Sequence, residues 1–355
     1  MAKRIDFSNY TFSADQVRDI NECIVEELLM NPLLNSVFGR IETGVKNGKE
    51  IGFVKSDMGL MLKTGQIGCN PTDVTMPTLN TYKKTWALNS AYFRGEECET
   101  TSRNTFLDLA KKSGMDRYNL TESEYYALLQ TLIADNLAKN IFLKAWFDDT
   151  AIKNVTDGGV LKNGVSTTLL NTIDGIFKQL KAIYTTTPAR RTTITENAGA
   201  SYAAQAITNA NCTAVFNSLL QNADPRLANA SDKIYISTRS LVQGYRWDMQ
   251  SKGSDTLMQK QIDGVTVDTC NGIPIIEVGV WDEFIRAYFD NATKWDSPHR
   301  AILTTKEQLA LAFSSDGAFD NFDVFFDRKS KLNIVEGEDQ YDAKCLLDYM
   351  FQVAI

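Results

Sequence analysis

Apolar residues fall along the chain in blocks of changing period. From Asp15 to Phe38, the positions Val17, Ile20, Ile24, Leu28 and Leu29 recur at near-helical spacing until Asn31-Pro32 interrupts the run. This predicts an N-terminal arm over residues 1–48, polar at first and then amphipathic, whose apolar stripe needs a partner surface. From Lys49 to Thr101 the texture becomes β-rich. Ile51-Gly52-Phe53-Val54 leads into a glycine-rich tip through Gly59, Gly65 and Gly68, and Thr85, Ala87, Asn89 and Ala91 then alternate with Trp86, Leu88, Ser90 and Tyr92 between Tyr82 and Phe93. The pattern predicts a long two-stranded excursion over residues 49–101. An isolated hairpin is at best marginally stable in water, so this one should lie against something else, such as a neighbouring copy.

A helix is predicted from Thr121 to Phe147. Thr121 and Glu124 form a capping box, Leu120 and Tyr125 fit a hydrophobic staple, and Leu128, Leu129, Leu132, Ile133, Leu137 and Ile141 recur at steps of three and four. At 1.5 Å per residue it would be about 40 Å long, a spine across a whole domain. A loop with Gly158-Gly159 and Gly164 follows. A second helix is predicted from Ser166 to Tyr184, with Leu169, Leu170, Ile173, Ile176, Phe177 and Leu180 on one face and a stop at Pro188.

After an Ala-, Asn- and Thr-rich stretch with helical potential over Asn211 to Gln221, the pattern becomes mixed. Strands are predicted at Lys233–Ser237, Gly272–Val278 and Arg300–Thr304, and helices at Thr238–Met249 and Trp281–Phe289. The C-terminal candidates Phe322–Phe326, Leu332–Val335 and Cys345–Val353 are each too continuously apolar to face solvent on both sides. The segments give an α+β chain of several packed units: a peripheral part over 102–190, an α/β unit over 191–310 and return strands over 311–355.

Composition narrows the function. The 355 residues carry a formal net charge of -7, and the basic pairs Lys3-Arg4, Lys83-Lys84, Lys111-Lys112 and Arg190-Arg191 are scattered, which argues against a protein that grips nucleic acid through its phosphates. The cysteines Cys23, Cys69, Cys98, Cys212, Cys270 and Cys345 include no Cys-x-x-Cys pair, so they read as reduced, mostly buried thiols. There is no signal-peptide core and no run of 18 or more apolar residues, so synthesis and use in the cytoplasm are expected and a membrane partner is not.

Catalytic motifs are hard to assemble. His299 is the only histidine, so a Ser-His-Asp or Cys-His enzyme would have to be built around it, and a multi-histidine metal site is impossible. No phosphate-cradle glycine motif occurs, Gly158-Gly159 lacks a strand-to-helix context, and Gly272-Ile273-Pro274 reads as a turn entering a strand. Trp146, Trp247, Trp281 and Trp295 read as core aromatics, since cations are not interleaved with them. Asp148-Asp149, acidic residues at the wrong end of a helix dipole, stay unexplained. No cofactor is expected.

The order of parts resembles the major capsid protein family of tailed bacteriophages, the Hong Kong 97-type fold: arm, extended hairpin loop, spine helix, axial α/β domain, return strands. The stretch Thr81-Tyr-Lys-Lys-Thr-Trp-Ala-Leu-Asn-Ser-Ala-Tyr-Phe93 is similar to the family's returning loop strand, and the spine helix ends in Phe147-Asp148-Asp149-Thr150. Asp232 to Arg239 looks like the axial strand-then-helix. Gly272-Ile-Pro-Ile-Ile-Glu-Val278 resembles the Gly-x-Pro-hydrophobic strand, and Arg300-Ala-Ile-Leu-Thr304 with Asn321 to Arg328 resembles the late strands.

The resemblance implies a structural subunit without chemistry of its own that self-assembles into pentamers and hexamers of an icosahedral shell. The hairpin would lie over one neighbour and the arm would reach another. Expected inter-subunit contacts are Phe53, Met58, Leu60, Met61, Trp86 and Tyr92 from the hairpin and Val17, Ile20 and Ile24 from the arm. It also implies scaffolding, portal and decoration proteins as partners, double-stranded DNA enclosed without specific binding, and a place in the virion after assembly in the host bacterial cytoplasm. The Lys, Asn and Glu of a covalent cross-link do not map onto this chain, so assembly should be non-covalent, with a separate scaffolding protein. Two other readings stay open: an encapsulin-like nanocompartment shell on the same fold, and an α/β enzyme using residues 231–310.

Overall fold

The continuous apolar runs at Ile234–Ile236, Ala301–Leu303 and Leu309–Phe313 become strands buried on both faces. The computed structural model describes residues 37–56, 79–98, 136–207, 212–252, 259–262, 265–315, 321–327 and 332–355. In chain order the strands are Arg40–Glu42 (β1), Glu50–Ser56 (β2), Leu79–Thr85 (β3), Asn89–Cys98 (β4), Arg191–Thr192 (β5), Lys233–Thr238 (β6), Gln259–Ile262 (β7), Val265–Cys270 (β8), Ile273–Val278 (β9), Ala301–Thr305 (β10), Leu309–Phe313 (β11), Asn321–Asp327 (β12), Leu332–Cys345 (β13) and Gln352–Ala354 (β14). The helices are residues 136–147 (α1), Ile176–Thr186 (α2), Cys212–Gln221 (α3), Pro225–Ala228 (α4), Arg239–Ser251 (α5) and Gly279–Tyr288 (α6). The architecture is α+β.

Seven strands form one sheet in the order β5-β14-β10-β6-β9-β8-β7. Side chains alternate across it with the period of two that a pleated strand imposes. Ile234, Ile236, Ile302 and Val353 enter one core, and Tyr235, Leu303, Ala301 and Ala354 enter the other. The first core is covered by α1, α2 and α6 and the second by α3 and α5. The strand β14 lies between β5 and β10, antiparallel to β10 and parallel to β5.

A second sheet runs β1-β11-β13-β12, with β4 also paired to the long strand β13. Here too β11 is shared between cores: Leu309, Leu311 and Phe313 face the large cluster, while Ala310 and Ala312 face a small one built with Val45, Ile51, Trp86, Leu88 and Leu346.

Four sequence expectations change in detail. The alternation from Tyr82 to Phe93 is two strands, not one. β3 pairs with β2, the chain breaks at Trp86–Leu88, and β4 leaves to pair with β13. The helix expected from Ser166 begins only at Ile176, because Thr167–Leu169 is a short 3-10 turn capped by the Ser166 hydroxyl. Gly175 fixes that later start: its N–H donates to the Asp148 carbonyl at 2.8 Å, and a Cβ there would lie 2.9 Å from the same oxygen. Cys345–Val353 is not a single strand, since β13 ends at Cys345 and a 3-10 turn at Asp348–Met350 precedes β14. The hairpin β8–β9 was not expected, although Asn271 (φ 53°) and Gly272 (φ 76°) form its left-handed turn. The spine helix is described only at residues 136–147; its expected capping box and most of its apolar stripe lie outside the described residues.

Trp146 is the packing centre of the first core, touching Phe38, Phe142, Phe177 and Trp281 at ring separations of 5.9, 6.3, 5.2 and 4.6 Å. Its truncation leaves a cavity that elements from distant parts of the chain cannot collapse to fill. Trp146→Ala is expected to cost about 3–5 kcal/mol, read as a lower urea midpoint with an unchanged slope.

Candidate assembly surfaces

The hairpin β2–β3 is a sheet of its own: among the described residues no third strand pairs with it. Its root is held firmly. Backbone bonds close the base: the Gly48 N–H donates to the Trp86 carbonyl at 2.9 Å, and the Trp86 N–H donates to the Lys49 carbonyl at 3.0 Å. The Ala87 N–H donates to the Asp342 carboxylate and the Leu88 N–H to the Asn47 side-chain oxygen, at 2.8 and 3.2 Å. The Lys84 ammonium reaches the Cys345 carbonyl at 2.6 Å and Asp348 at 2.7 Å. The Asp342 carboxyl is pushed up by burial, against the opposing pull of Lys344.

Above this root the side chains lose their cover. Ile51 is buried and Phe53 half-buried against the root cluster, but Val54 is 69% exposed and Tyr82 49%. Of the expected contact residues, Phe53 therefore sits at the junction of hairpin and body. Trp86 is fully buried in its own chain and has no surface to give a neighbour, which corrects its place among the contacts: it anchors the root. Met58, Leu60, Met61, Val17, Ile20 and Ile24 lie outside the described residues.

Tyr92 is the most exposed large apolar side chain of the described residues, at 81%. It stands beside a groove of about 1120 Å³ walled by β4, α1, the 168–172 turn and the end of α6. Leu169 and Tyr288, also exposed, share the groove with it, and Ile141, Leu170 and Tyr341 lie deeper. Sequence reasoning missed Val54, Tyr82 and Leu169 as surface groups. For Leu169 the helical spacing pointed the wrong way, because the residue belongs to a turn.

The residues an enzyme reading would need meet at His299, and they form a clasp. The Ser240 hydroxyl lies 2.8 Å from Nδ1, and Nε2 lies 2.6 Å from the Gln205 carbonyl. A carbonyl only accepts, so Nε2 carries the proton and Nδ1 accepts from Ser240. Asn197 bonds both the N–H and the carbonyl of His299, and the Gln205 side chain does the same for Trp295. The first amides of α5, which would meet a developing oxyanion beside Ser240, are already taken by the Asp282 carboxylate at 2.7 and 3.1 Å. These bonds tie residues 195–207 to the seven-stranded sheet. Among the described residues no cluster of metal-ligating side chains occurs, and no helix is long and apolar enough to cross a membrane.

No family model and no curated protein matches the sequence. Among solved structures, the chain is similar to one from the satellite phage P4 procapsid with its size determination protein, at 12% identity, covering 93% of this chain and 98% of that one with a TM-score of 0.47. A chain from Gordonia phage Cozz shows 11% identity over 100% and 90% of the two chains, with a TM-score of 0.49. A chain of the holo-SrpI encapsulin complex from Synechococcus elongatus PCC 7942 shows 11% identity over 98% and 91%, with a TM-score of 0.45. All three superpose loosely, and the functional reading below rests on this chain's own geometry.

Burial holds the His299 imidazole below its usual range, outweighing the Gln205 carbonyl, Asp282 and Glu196, which favour the charged form. A histidine depressed in the folded state contributes stability that is present above the unfolded value of about 6.5 and is lost as pH falls below it toward the folded value. The stability difference between wild type and His299→Gln, measured by urea unfolding from pH 7.5 to pH 5, is expected to shrink on acidification. A difference independent of pH would mean that the clasp does not depend on the neutral imidazole.

Proposed function

We propose that this chain is the shell subunit of a tailed-phage capsid, a structural protein that closes into an icosahedral particle of pentamers and hexamers. The observation that carries the reading is the hairpin: two strands, firmly rooted, with apolar side chains exposed and no third strand among the described residues to pair with. Such a ribbon is marginal by itself, and a neighbouring copy is the partner that a self-assembling subunit always has. The order of elements supports the same reading, with hairpin, α1, doubly covered seven-stranded sheet and returning strands following one another along the chain.

In this reading residues 1–48 are the arm, 49–101 the hairpin loop, 102–190 and 311–355 the peripheral part and 191–310 the axial part. Phe53, Val54 and Tyr82 of one copy lie over the next, and Tyr92 beside the groove belongs to the receiving side; Met58, Leu60 and Met61 extend the first contact, and Val17, Ile20 and Ile24 a further one. Assembly is non-covalent and aided by a separate scaffolding protein, with portal and decoration proteins completing the particle. Packaged double-stranded DNA is enclosed without specific binding, as the net charge of -7 favours. The protein works in the virion and assembles in the host bacterial cytoplasm.

The test is electron microscopy and sizing of the purified protein, expressed with and without a candidate scaffolding protein. Closed uniform shells or hexamer and pentamer rings are expected; a persistent monomer or small dimer under both conditions would overturn the reading. Deleting residues 59–77 is expected to leave a soluble subunit that no longer closes into particles. The double substitution Val54→Asp and Tyr82→Ser should abolish closure while changing subunit stability by no more than about 0.5 kcal/mol per site, as exposed positions do.

A further inference from the structure

Asp148 is the residue that the fold leaves least comfortable. It follows the last residue of α1 and its side chain is fully buried. One carboxylate oxygen, Oδ2, accepts from the Tyr341 hydroxyl at 3.2 Å and lies 3.4 Å from the Lys144 ammonium. The other, Oδ1, is buried without a hydrogen bond of good geometry, and the Ile173 amide gives the carboxyl only its smallest support. The same residue joins three segments: its N–H donates to the Lys144 carbonyl in α1, its carbonyl accepts from Gly175 at the start of α2, and its side chain reaches Tyr341 of β13.

We propose that Asp148 is a proton-operated latch, which holds α1, the 170–175 turn and β13 in one joint when its carboxyl is protonated and lets that joint open locally when the proton is lost. A neutral carboxyl is tolerated in this setting. An ionised one with an unpartnered oxygen is not, because a buried charge is stable only when fully paired. Lys144 gives incomplete relief, since its ammonium is shared with the Leu169 carbonyl at 2.6 Å.

The charged and titratable groups around the latch are few. From α1 there is Lys144; from β13, Tyr341, whose hydroxyl is held well above its usual range by burial, and beyond it Asp342. From the 170–175 turn come the Ile173 amide and the Thr172 hydroxyl, which bonds Tyr341. Asp149 and Asp174 are bound outward to Lys178 of α2, at 2.6 and 2.7 Å, and so do not compete for Lys144. Burial outweighs Lys144, Tyr341 and the Ile173 amide and pushes the Asp148 carboxyl up to about 6.

The sign follows from proton counting. Between the unfolded value of about 3.9 and the folded value the closed joint binds a proton that the open one does not, so closure weakens as pH rises through this window and is flat above it. The latch is also placed to be read at the surface. Lys144, Thr172 and Tyr341 line the groove beside Tyr92, so opening the joint loosens the wall of the groove that the proposed function gives to a neighbour.

Amide hydrogen exchange at pH 5 and pH 7, corrected for the intrinsic rate, tests the latch on the whole chain. In the wild type, protection over 136–149 and 170–186 is expected to fall about tenfold between the two pH values, while 233–251 does not share the change. In Asp148→Asn, protection at both segments should be the same at both pH values. Equal pH dependence in the two proteins, or a change spread evenly over the chain, would overturn the proposal. Should the variant not fold, carboxyl ¹³C titration of wild-type Asp148 decides: a midpoint above 5.5 supports the latch and one near 4 sinks it.

Discussion

The structure hangs on an aromatic junction at the end of α1. Trp146 meets Trp281 edge-on at 4.6 Å, and Phe147 meets Phe177, Phe284 and Phe289 at 4.9, 4.9 and 5.5 Å. The Arg300 guanidinium, itself buried, lies 4.4 Å over Phe177 and 5.2 Å over Phe147 and spends its donors on the Ser297 and Asp296 carbonyls. Rings from α1, α2 and α6 thus converge with a cation from the lead-in to β10. Such contacts add to the apolar burial of the rings, and the cation–π pair is strongest when desolvated. The junction has a cost: the indole N–H groups of Trp146 and Trp281 are buried without partners, at about 1–3 kcal/mol each. That the packing outweighs this cost makes the helix end and the seven-stranded sheet one body.

From that junction the rest of the architecture follows. Because the helices stand on both faces of the seven-stranded sheet, its inner strands β6, β9, β10 and β14 show no exposed residue and read in sequence as largely apolar runs. That is why β6, β9 and β10 and the helices α3, α5 and α6 were legible from the residues alone. β8 was not: Val265-Thr-Val-Asp-Thr-Cys270 alternates like a surface strand, and the cue lay in Asn271-Gly272, a pair suited to a two-residue hairpin turn. The break between β3 and β4 was illegible for a different reason. The alternation through Ala87 is unbroken, and what bends the chain there is non-local: Asp342 and Asn47 take the Ala87 and Leu88 amides, 255 and 41 residues away in sequence.

The same limit applies to the assembly surface. A period-two apolar pattern says that a side chain needs cover but not whose. Trp86 finds it at home, between β11 and the hairpin root, while Val54 and Tyr82, a few residues further along the ribbon, do not. Leu169 was assigned to the core on helical spacing and became a surface residue because Gly175, pressed against Asp148, delays the helix. Only the fold sorts these positions into anchors and contacts, and it does so by where the root cluster runs out of neighbours.

Burial, finally, places two ionisable groups in opposite relation to protons. At His299 burial favours the neutral ring, so the clasp on residues 195–207 weakens as protons are added. At Asp148 the unpartnered oxygen favours the neutral acid, so the joint between α1 and β13 strengthens as they are added. The first group lies two residues before the inner strand β10 and the second beneath the groove that carries Tyr92. Acidification therefore does not simply weaken this chain: it loosens the clasp and tightens the joint, on two sides of the aromatic junction that Arg300 and Phe147 share.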